Sequence, residues 1–256
     1  MVMTLEPVAG GNVSAAWLAA LRATQQARGH ETTGLVVQID SQDGEIHEDR
    51  SIRAALDGAL RDTAVSQSGR RKRPALVGTV ASTIFPRSMW NPSRPRGALF
   101  ERYERALPRI RRFRENHHGT YFERFIGNGN QLDHIIATRV DHSNYRRSAY
   151  QLAVFDPGAD HGNWKQRGFP CLHQVSFVPD SRRGALAVFA YYPTQTVFEK
   201  AYGNYVGLWH LGQFVGHEWG LQMTSLTCIA VVAKATSRSN VQPRVQQLLD
   251  ELQESR

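Results

Sequence analysis

Three apolar runs in the second half of the chain constrain the fold most strongly. Residues 151–156 (QLAVFD), 172–178 (LHQVSFV) and 185–193 (ALAVFAYYP) are rich in β-branched and aromatic residues and are separated by turn residues, which predicts adjacent strands. Residues 205–217 then form a largely apolar stretch that predicts a long buried helix, and residues 229–233 predict a further strand. Several neighbouring strands followed by a buried helix indicate an α+β fold.

The first half of the chain is predicted to supply most of the helices. Apolar residues recur at helical spacing in four segments, residues 14–28, 49–62, 99–113 and 130–139. Strands are expected at 34–40 and 75–84, and the proline-rich segment 85–96 is expected to be a loop. A charged C-terminal helix is expected over 241–254. Because no repeat, low-complexity segment or clear linker is found, we interpret residues 1–256 as one domain.

Length and composition exclude several classes of protein. A chain of 256 residues with 41% hydrophobic and 21% charged residues buries a substantial core without disulfides and is too apolar to be mainly disordered. The longest uncharged apolar stretch, residues 226–233, is less than half of a membrane span, so no membrane contact is expected. Residues 1–13 lack the pattern of a secretory signal, and the two cysteines, Cys171 and Cys228, fit a reducing compartment. A cytoplasmic protein without a metal site is therefore expected.

The positive net charge of +8 arises from 31 Lys+Arg against 23 Asp+Glu, and most of the 31 are arginines. Arginine favours bidentate recognition of phosphate or carboxylate, but a GC-rich genome would produce the same bias. The sharpest basic run is at residues 70–73. No aromatic residues interleave with these charges, which favours a solvated loop over a nucleic-acid contact. A nucleic-acid partner nevertheless stays open.

Cys171 is the first candidate for chemistry. It follows a proline at the entrance of a predicted strand, where backbone amides and nearby cations can lower a thiol pKa and make the sulfur a nucleophile. The alternative is a small buried core residue, which is a common role for a free cysteine. His173, two residues on, would point to the same face of the strand and could act as a base, or it could be an ordinary core or surface histidine.

Several landmarks then follow one another in an order that resembles a known family. They are Gly119-Thr120-Tyr121, the segment GNQLDHIIATR at 129–139, Tyr145-Arg146-Arg147 before a strand, Phe169-Pro170-Cys171, and Val197-Phe198 followed by Asn204. In this order they resemble thymidylate synthase and its pyrimidine hydroxymethylase relatives. The resemblance covers most of the chain, but no single motif is decisive. It implies an α+β, thymidylate synthase-like fold with a mixed sheet and helices packed on one side, and a homodimer joined sheet to sheet.

The resemblance also implies a reaction. Cys171 would add to C6 of a pyrimidine nucleotide, and C5 would then accept a methyl or hydroxymethyl group from 5,10-methylenetetrahydrofolate. Arg146 and Arg147 would bind a phosphate in the partner's site, in trans, although they could equally be strand-edge charges. Asn204 would hydrogen-bond the pyrimidine edge, or else serve as a helix cap.

The resemblance leaves the remaining catalytic roles less well defined. Tyr121 would lie at the substrate, and His173 is a candidate base. The general-acid glutamate is sought before Gly119, where Glu101 and Glu104 are available, and we name Glu104 as the candidate.

Departures from the family pattern support a second hypothesis. Pro193 and Thr194 stand where the family has a phosphate-binding Arg-Ser pair, Thr196 stands in place of an aspartate that serves folate, and Leu172 replaces a histidine. The chain could therefore be a thymidylate synthase-like protein without the synthase activity. It would then act as a binding or assembly protein that uses the arginine-rich helix at 99–113 on an anionic partner. A third alternative is an unrelated α+β protein in which the landmarks coincide by chance.

Overall fold

The computed structural model describes residues 8–64, 74–113, 116, 119–141, 146–161 and 170–254. The strands are β1 (Val8–Gly10), β2 (Glu31–Asp40), β3 (Gln151–Ala153), β4 (Gln174–Asp180), β5 (Ala185–Thr196) and β6 (Gln222–Lys234). The helices are α1 (Val13–Gln26), α2 (Arg50–Asp62), α3 (Val77–Ile84), α4 (Gly97–Ile110), α5 (Tyr121–Asp141), α6 (Pro157–Asp160), α7 (Tyr202–Trp219) and α8 (Gln242–Glu254). The basic run at 70–73, Tyr145 and Phe169 lie outside the described residues.

The six strands form one mixed sheet in the order β1-β2-β6-β5-β4-β3. β5 and β6 run parallel, whereas β4 pairs with β5, and β2 with β6, in the antiparallel direction. The parallel pair requires a crossover, and α7 supplies it between the end of β5 and the start of β6. The predicted α+β class is confirmed, and each of the predicted strands in the second half has a counterpart in the sheet.

One face of the sheet packs against helices and the other does not. Helices α1 and α7 contact the central strands, and α5 contacts β3. Along β5 the alternate residues Leu186, Val188 and Tyr192 are fully buried beneath this helical layer. On the opposite face Phe189 and Tyr191 are 39% and 42% exposed. The described structure therefore leaves an apolar strip uncovered across the middle of the sheet.

Helix α3 corrects the strand that the sequence predicts over 75–84. Val77, Val80, Ala81 and Ile84 are buried, and this spacing places them on one side of a helix. The β-branched residues that suggested a strand pack instead against α7, where Gly203 lets the two helices approach closely. Thr79, Ser82 and Thr83 on the other side of α3 face a cavity.

Helix α5 begins nine residues before the predicted helix at 130–139. Two left-handed residues, Gly129 (φ 86°) and Asn130 (φ 53°), interrupt it in the middle. The Asn130 side chain accepts a hydrogen bond from the Asp133 backbone N–H at 3.0 Å, which is the geometry of an N-cap, so the predicted segment is the second half of the helix. The first half carries Tyr121 towards the cavity.

Candidate functional site

A cavity of about 510 Å³ opens where the carboxyl end of β5 meets the start of α7. Helix α3 forms one wall, and the segments that lead into α5 and into β4 form others. Ligand sites for small molecules typically have volumes of about 300–1,000 Å³. Three residues named from the resemblance, Cys171, Tyr121 and Asn204, line this cavity although they come from distant parts of the chain.

Cys171 lies directly before β4, between the buried residues Pro170 and Leu172, and its side chain is accessible from the cavity. Burial of the thiol raises its pKa above the usual range, and the positive charge of Lys200 opposes this shift only in part. The prediction that neighbouring cations lower this pKa is therefore wrong for the single chain. Cys228, in contrast, is enclosed within the sheet, and its pKa is raised strongly by burial.

Tyr121 opens helix α5 and places its hydroxyl beside the backbone N–H groups of Leu172 and Cys171. Burial raises the pKa of Tyr121 to about 12, and these backbone hydrogen bonds offset the shift only in part. The hydroxyl therefore stays protonated at neutral pH. It holds the strand entrance that presents the thiol, and it can donate a hydrogen bond within the cavity.

Two amide side chains lie close together in sequence at the base of the cavity. Asn204, on the first turn of α7, is 4% exposed, and Gln195, at the end of β5, is 2% exposed. The Gln195 Oε1 accepts a hydrogen bond from the Tyr205 hydroxyl at 3.3 Å. Sequence reasoning named Asn204 and missed Gln195, because a single glutamine near the end of a strand carries no pattern.

Two cationic side chains also line the cavity. Arg124 is held by Asp160 through two hydrogen bonds of 2.7 and 2.8 Å, and it also donates to the Val154 carbonyl at 2.9 Å. Its charge is therefore largely neutralised by the protein. Lys200, in the helical turn between β5 and α7, is the cation that acts on Cys171.

The structure does not bring His173 or Glu104 to the cavity. His173 stacks on Phe155, with ring centroids 4.9 Å apart, and burial is the largest influence lowering its pKa. Glu104 lies on the exposed side of α4, because its neighbour Tyr103 takes the inward position on that helix. Neither side chain is among those that line the cavity.

Arg146 and Arg147 lie at an exposed helical turn before β3 and do not line the cavity of their own chain. The strand that follows is shorter than predicted, covering Gln151–Ala153. Any contact between these arginines and a cavity would have to come from a second copy of the chain.

Among the described lining residues there is no aspartate, glutamate or histidine. The nearest carboxylate arrangement is behind the wall, where Glu123 pairs with Arg111. In the wall itself Tyr103 and Thr120 share a hydrogen bond, and burial is the main reason that the pKa of Tyr103 rises to about 12. The described cavity therefore offers hydroxyls, amides, one thiol and two cations as its functional groups.

A second feature of the surface is a row of arginines on α4. Arg102, Arg105 and Arg109 are exposed, and in the described part of the chain no ion pair engages them. Their spacing of three and four residues places them along one side of the helix. This is the helix that the sequence analysis connected with an anionic partner.

No protein-family model and no curated protein matches the chain. In the described ranges, no helix is long and apolar enough to cross a bilayer. The same residues contain no group of three His, Cys, Asp or Glu side chains that could hold a metal ion.

Proposed function

We propose that the cavity binds a pyrimidine nucleotide or a nucleotide-like molecule and that Cys171 adds covalently to its ring, as the resemblance to thymidylate synthase implies. One observation carries this proposal. Cys171, Tyr121 and Asn204 were named from separate parts of the sequence, and they line one cavity of suitable volume. The chain would work in the cytoplasm, as its composition and N-terminal sequence lead us to expect.

The proposed chemistry begins with addition of the Cys171 thiolate to C6 of the ring. The sulfur forms a bond to C6, and the electron pair of the C5–C6 double bond moves onto C5 and the neighbouring carbonyl. C5 becomes a carbon nucleophile, and transfer of a methyl or hydroxymethyl group to it is the reaction that the resemblance implies. Asn204 would hydrogen-bond the ring edge, and the Tyr121 hydroxyl would hold the thiol at the ring.

The described residues fit the ring better than they fit 5,10-methylenetetrahydrofolate. Thr196 lines the cavity where the family has an aspartate that serves folate, and the described lining contains no carboxylate. We therefore derive no step through the folate. Its participation is left to the experiment below, which is performed with and without it.

The phosphate of such a ligand would be bound by a second copy of the chain. Pro193 and Thr194 replace the arginine and serine of the family, so the single chain lacks those phosphate contacts. In a homodimer joined through the uncovered sheet face, Arg146 and Arg147 would reach the partner's cavity. Two arginines there would also stabilise the Cys171 thiolate, whose pKa is raised in the single chain.

A second candidate function is supported by the raised pKa of Cys171 and by the described lining without a carboxylic acid. The protein would keep the ligand-binding fold, lack the synthase activity, and act as a binding or assembly protein. The exposed arginines of α4 would then contact the anionic partner.

The two candidates differ in whether Cys171 forms a bond to the ligand. We expect 5-fluoro-dUMP to form an adduct with the chain, seen as a mass increase by intact-protein mass spectrometry and located at Cys171 by peptide mapping. The adduct is expected to accumulate further when methylenetetrahydrofolate is added. The matched control is Cys171→Ser, which should give no adduct. Absence of an adduct with the unmodified chain under both conditions would exclude the synthase-type mechanism and favour the binding protein.

A further inference from the structure

Gln195 is a buried amide with one half of its hydrogen-bonding capacity in use. Its Oε1 accepts from the Tyr205 hydroxyl at 3.3 Å, and Tyr205 itself is fully buried. Its Nε2 is buried and meets no hydrogen-bond acceptor among the described residues. A buried amide N–H without an acceptor costs about 1–3 kcal/mol, so native proteins rarely keep one without a reason.

The location of this amide supplies a reason. Gln195 lines the cavity, together with Asn204 and Cys171. Tyr205 fixes the orientation of the amide by binding its oxygen, which leaves the NH₂ group as the side that faces a ligand. If the amide were rotated by 180°, the NH₂ group would lie at Tyr205 and the oxygen would take its place, so one polar atom would lack a partner in either case.

We propose that Gln195 determines ligand specificity by donating a hydrogen bond from Nε2 to a carbonyl oxygen on the ring of the bound molecule. This inference rests on the proposed function, because it places a ring in the cavity beside Cys171. It adds that the ring must carry an acceptor on the edge that faces β5. A ring that presents an N–H or NH₂ group to Nε2 would set two donors against each other, and it would be rejected.

The proposal distinguishes Gln195 from an amide whose role is only to support the fold. Such a residue would change the stability of the protein when replaced, but it would not change which of two ring compounds binds better. Replacement with methionine keeps the length of the side chain and removes both the donor and the acceptor. Discrimination between ligands is therefore the measurement that tests the inference.

The experiment compares the dissociation constants of dUMP and of the 2-pyrimidinone deoxynucleotide, which lacks the 4-carbonyl, and of dCMP, which carries an amino group there. Calorimetry with the full chain should give at least tenfold tighter binding of dUMP than of either analogue. In Gln195→Met the affinity for dUMP should fall about tenfold to a hundredfold and the preference should disappear. The matched control is Gln25→Met, because Gln25 is also a largely buried glutamine with one unsatisfied amide atom, on α1. That variant should keep both affinity and preference.

A second measurement separates this inference from the proposed function. The side-chain amide signals of Gln195, identified in a ¹⁵N NMR spectrum by their loss in Gln195→Met, should shift on addition of 2-pyridone, a minimal ring with a carbonyl. If dUMP fails to bind but 2-pyridone shifts these signals, the nucleotide proposal is wrong and the role of Gln195 stands. If dUMP binds and Gln195→Met keeps the affinity and the preference, the role of Gln195 is refuted while the nucleotide proposal stands. If dUMP does not bind and the signals do not move, both are wrong.

Discussion

Single residues set the chemistry of the cavity, and at Cys171 burial outweighs charge. Desolvation of the thiolate is the largest influence on its pKa, and Lys200 offsets only part of it. The thiol is therefore mostly protonated at neutral pH in the single chain. A nucleophile of this kind becomes reactive when a ligand or a partner subunit brings positive charge or excludes competing water.

This balance predicts the pH dependence of alkylation at Cys171. A thiolate forms above the thiol pKa, and that pKa is raised, so the rate with iodoacetamide should increase at higher pH than for a free cysteine. Lys200→Met should slow the reaction at pH 8 by about two- to fivefold, because it removes the cation that favours the thiolate. The rates are measured by mass spectrometry. Lys234→Met is the control, since Lys234 pairs with Glu31 on β2, and a half-maximal rate below pH 8 would contradict the assignment.

At this scale the sequence predicted residues that belong to a recurring pattern and missed those defined by a contact. Cys171, Tyr121 and Asn204 could be named because each stands at a landmark in a fixed order. Gln195 became a candidate only through its hydrogen bond with Tyr205 and its lack of a second partner, which depend on how β5 enters α7. Glu104 was named by elimination, and the alternation of α4 turned it outward.

At the scale of elements, the contact between α3 and α7 shapes the cavity wall. A Cβ atom on Gly207 would lie 2.7 Å from the Ala81 carbonyl oxygen, and one on Gly203 would lie 2.5 Å from the Cβ of Val80. These two glycines allow the helices to approach closely, and α3 can then present Thr83 to the cavity.

Gly207→Ala should therefore destabilise the protein by about 1–3 kcal/mol, because the added methyl group displaces α3. The free energy of unfolding is measured in urea by tryptophan fluorescence. Gly58→Ala on α2 is the matched control, since a Cβ there meets no atom within 4 Å. It should raise stability by about 0.5–1 kcal/mol through helix propensity. Equal effects of the two substitutions would show that the close approach is not required.

Element prediction succeeded where the pattern and the packing agreed. Helices α1, α2, α4 and α8 each carry one apolar side, and the strands from β4 to β6 alternate in a sheet that is buried on one face. Helix α3 was mistaken for a strand because it is short and β-branched. Its type is decided by its contact with the glycines of α7, which lie more than a hundred residues further along the chain.

At the scale of the whole molecule, the uncovered face of the sheet is the main surface that a second chain could cover. Phe189, Tyr191 and Val231 are each about 40% exposed on it. The core on the other face is continuous and needs no further partner. A dimer through this face would remove a strip of aromatic and aliphatic side chains from water.

If Arg146 acts in trans, mixed subunits should restore the adduct that each variant lacks. Arg146→Ala homodimers should give at least tenfold less adduct with 5-fluoro-dUMP, because the phosphate loses a contact, and Cys171→Ala homodimers should give none. Mixing the two should restore the adduct on the Arg146→Ala subunit, whose thiol then faces an intact arginine from its partner. Mass spectrometry distinguishes the two subunits.

Two further variants make that result decisive. Tyr191→Lys should prevent dimer formation in analytical ultracentrifugation and abolish the recovery, since it places a charge in the apolar strip. Val140→Lys alters a residue that is 59% exposed on α5, and it should leave both the dimer and the recovery unchanged. No recovery from mixtures that do form heterodimers would mean that Arg146 does not serve the partner's cavity.

The different surroundings of the two cysteines have a practical consequence. Cys228 is sealed within the sheet, whereas Cys171 opens into the cavity. The natural chain is therefore already suited to single-site labelling, with no cysteine to remove beforehand. A ¹⁹F tag or a small fluorophore attached under native conditions would report from the cavity itself. It would give a spectroscopic view of local motion there without further engineering.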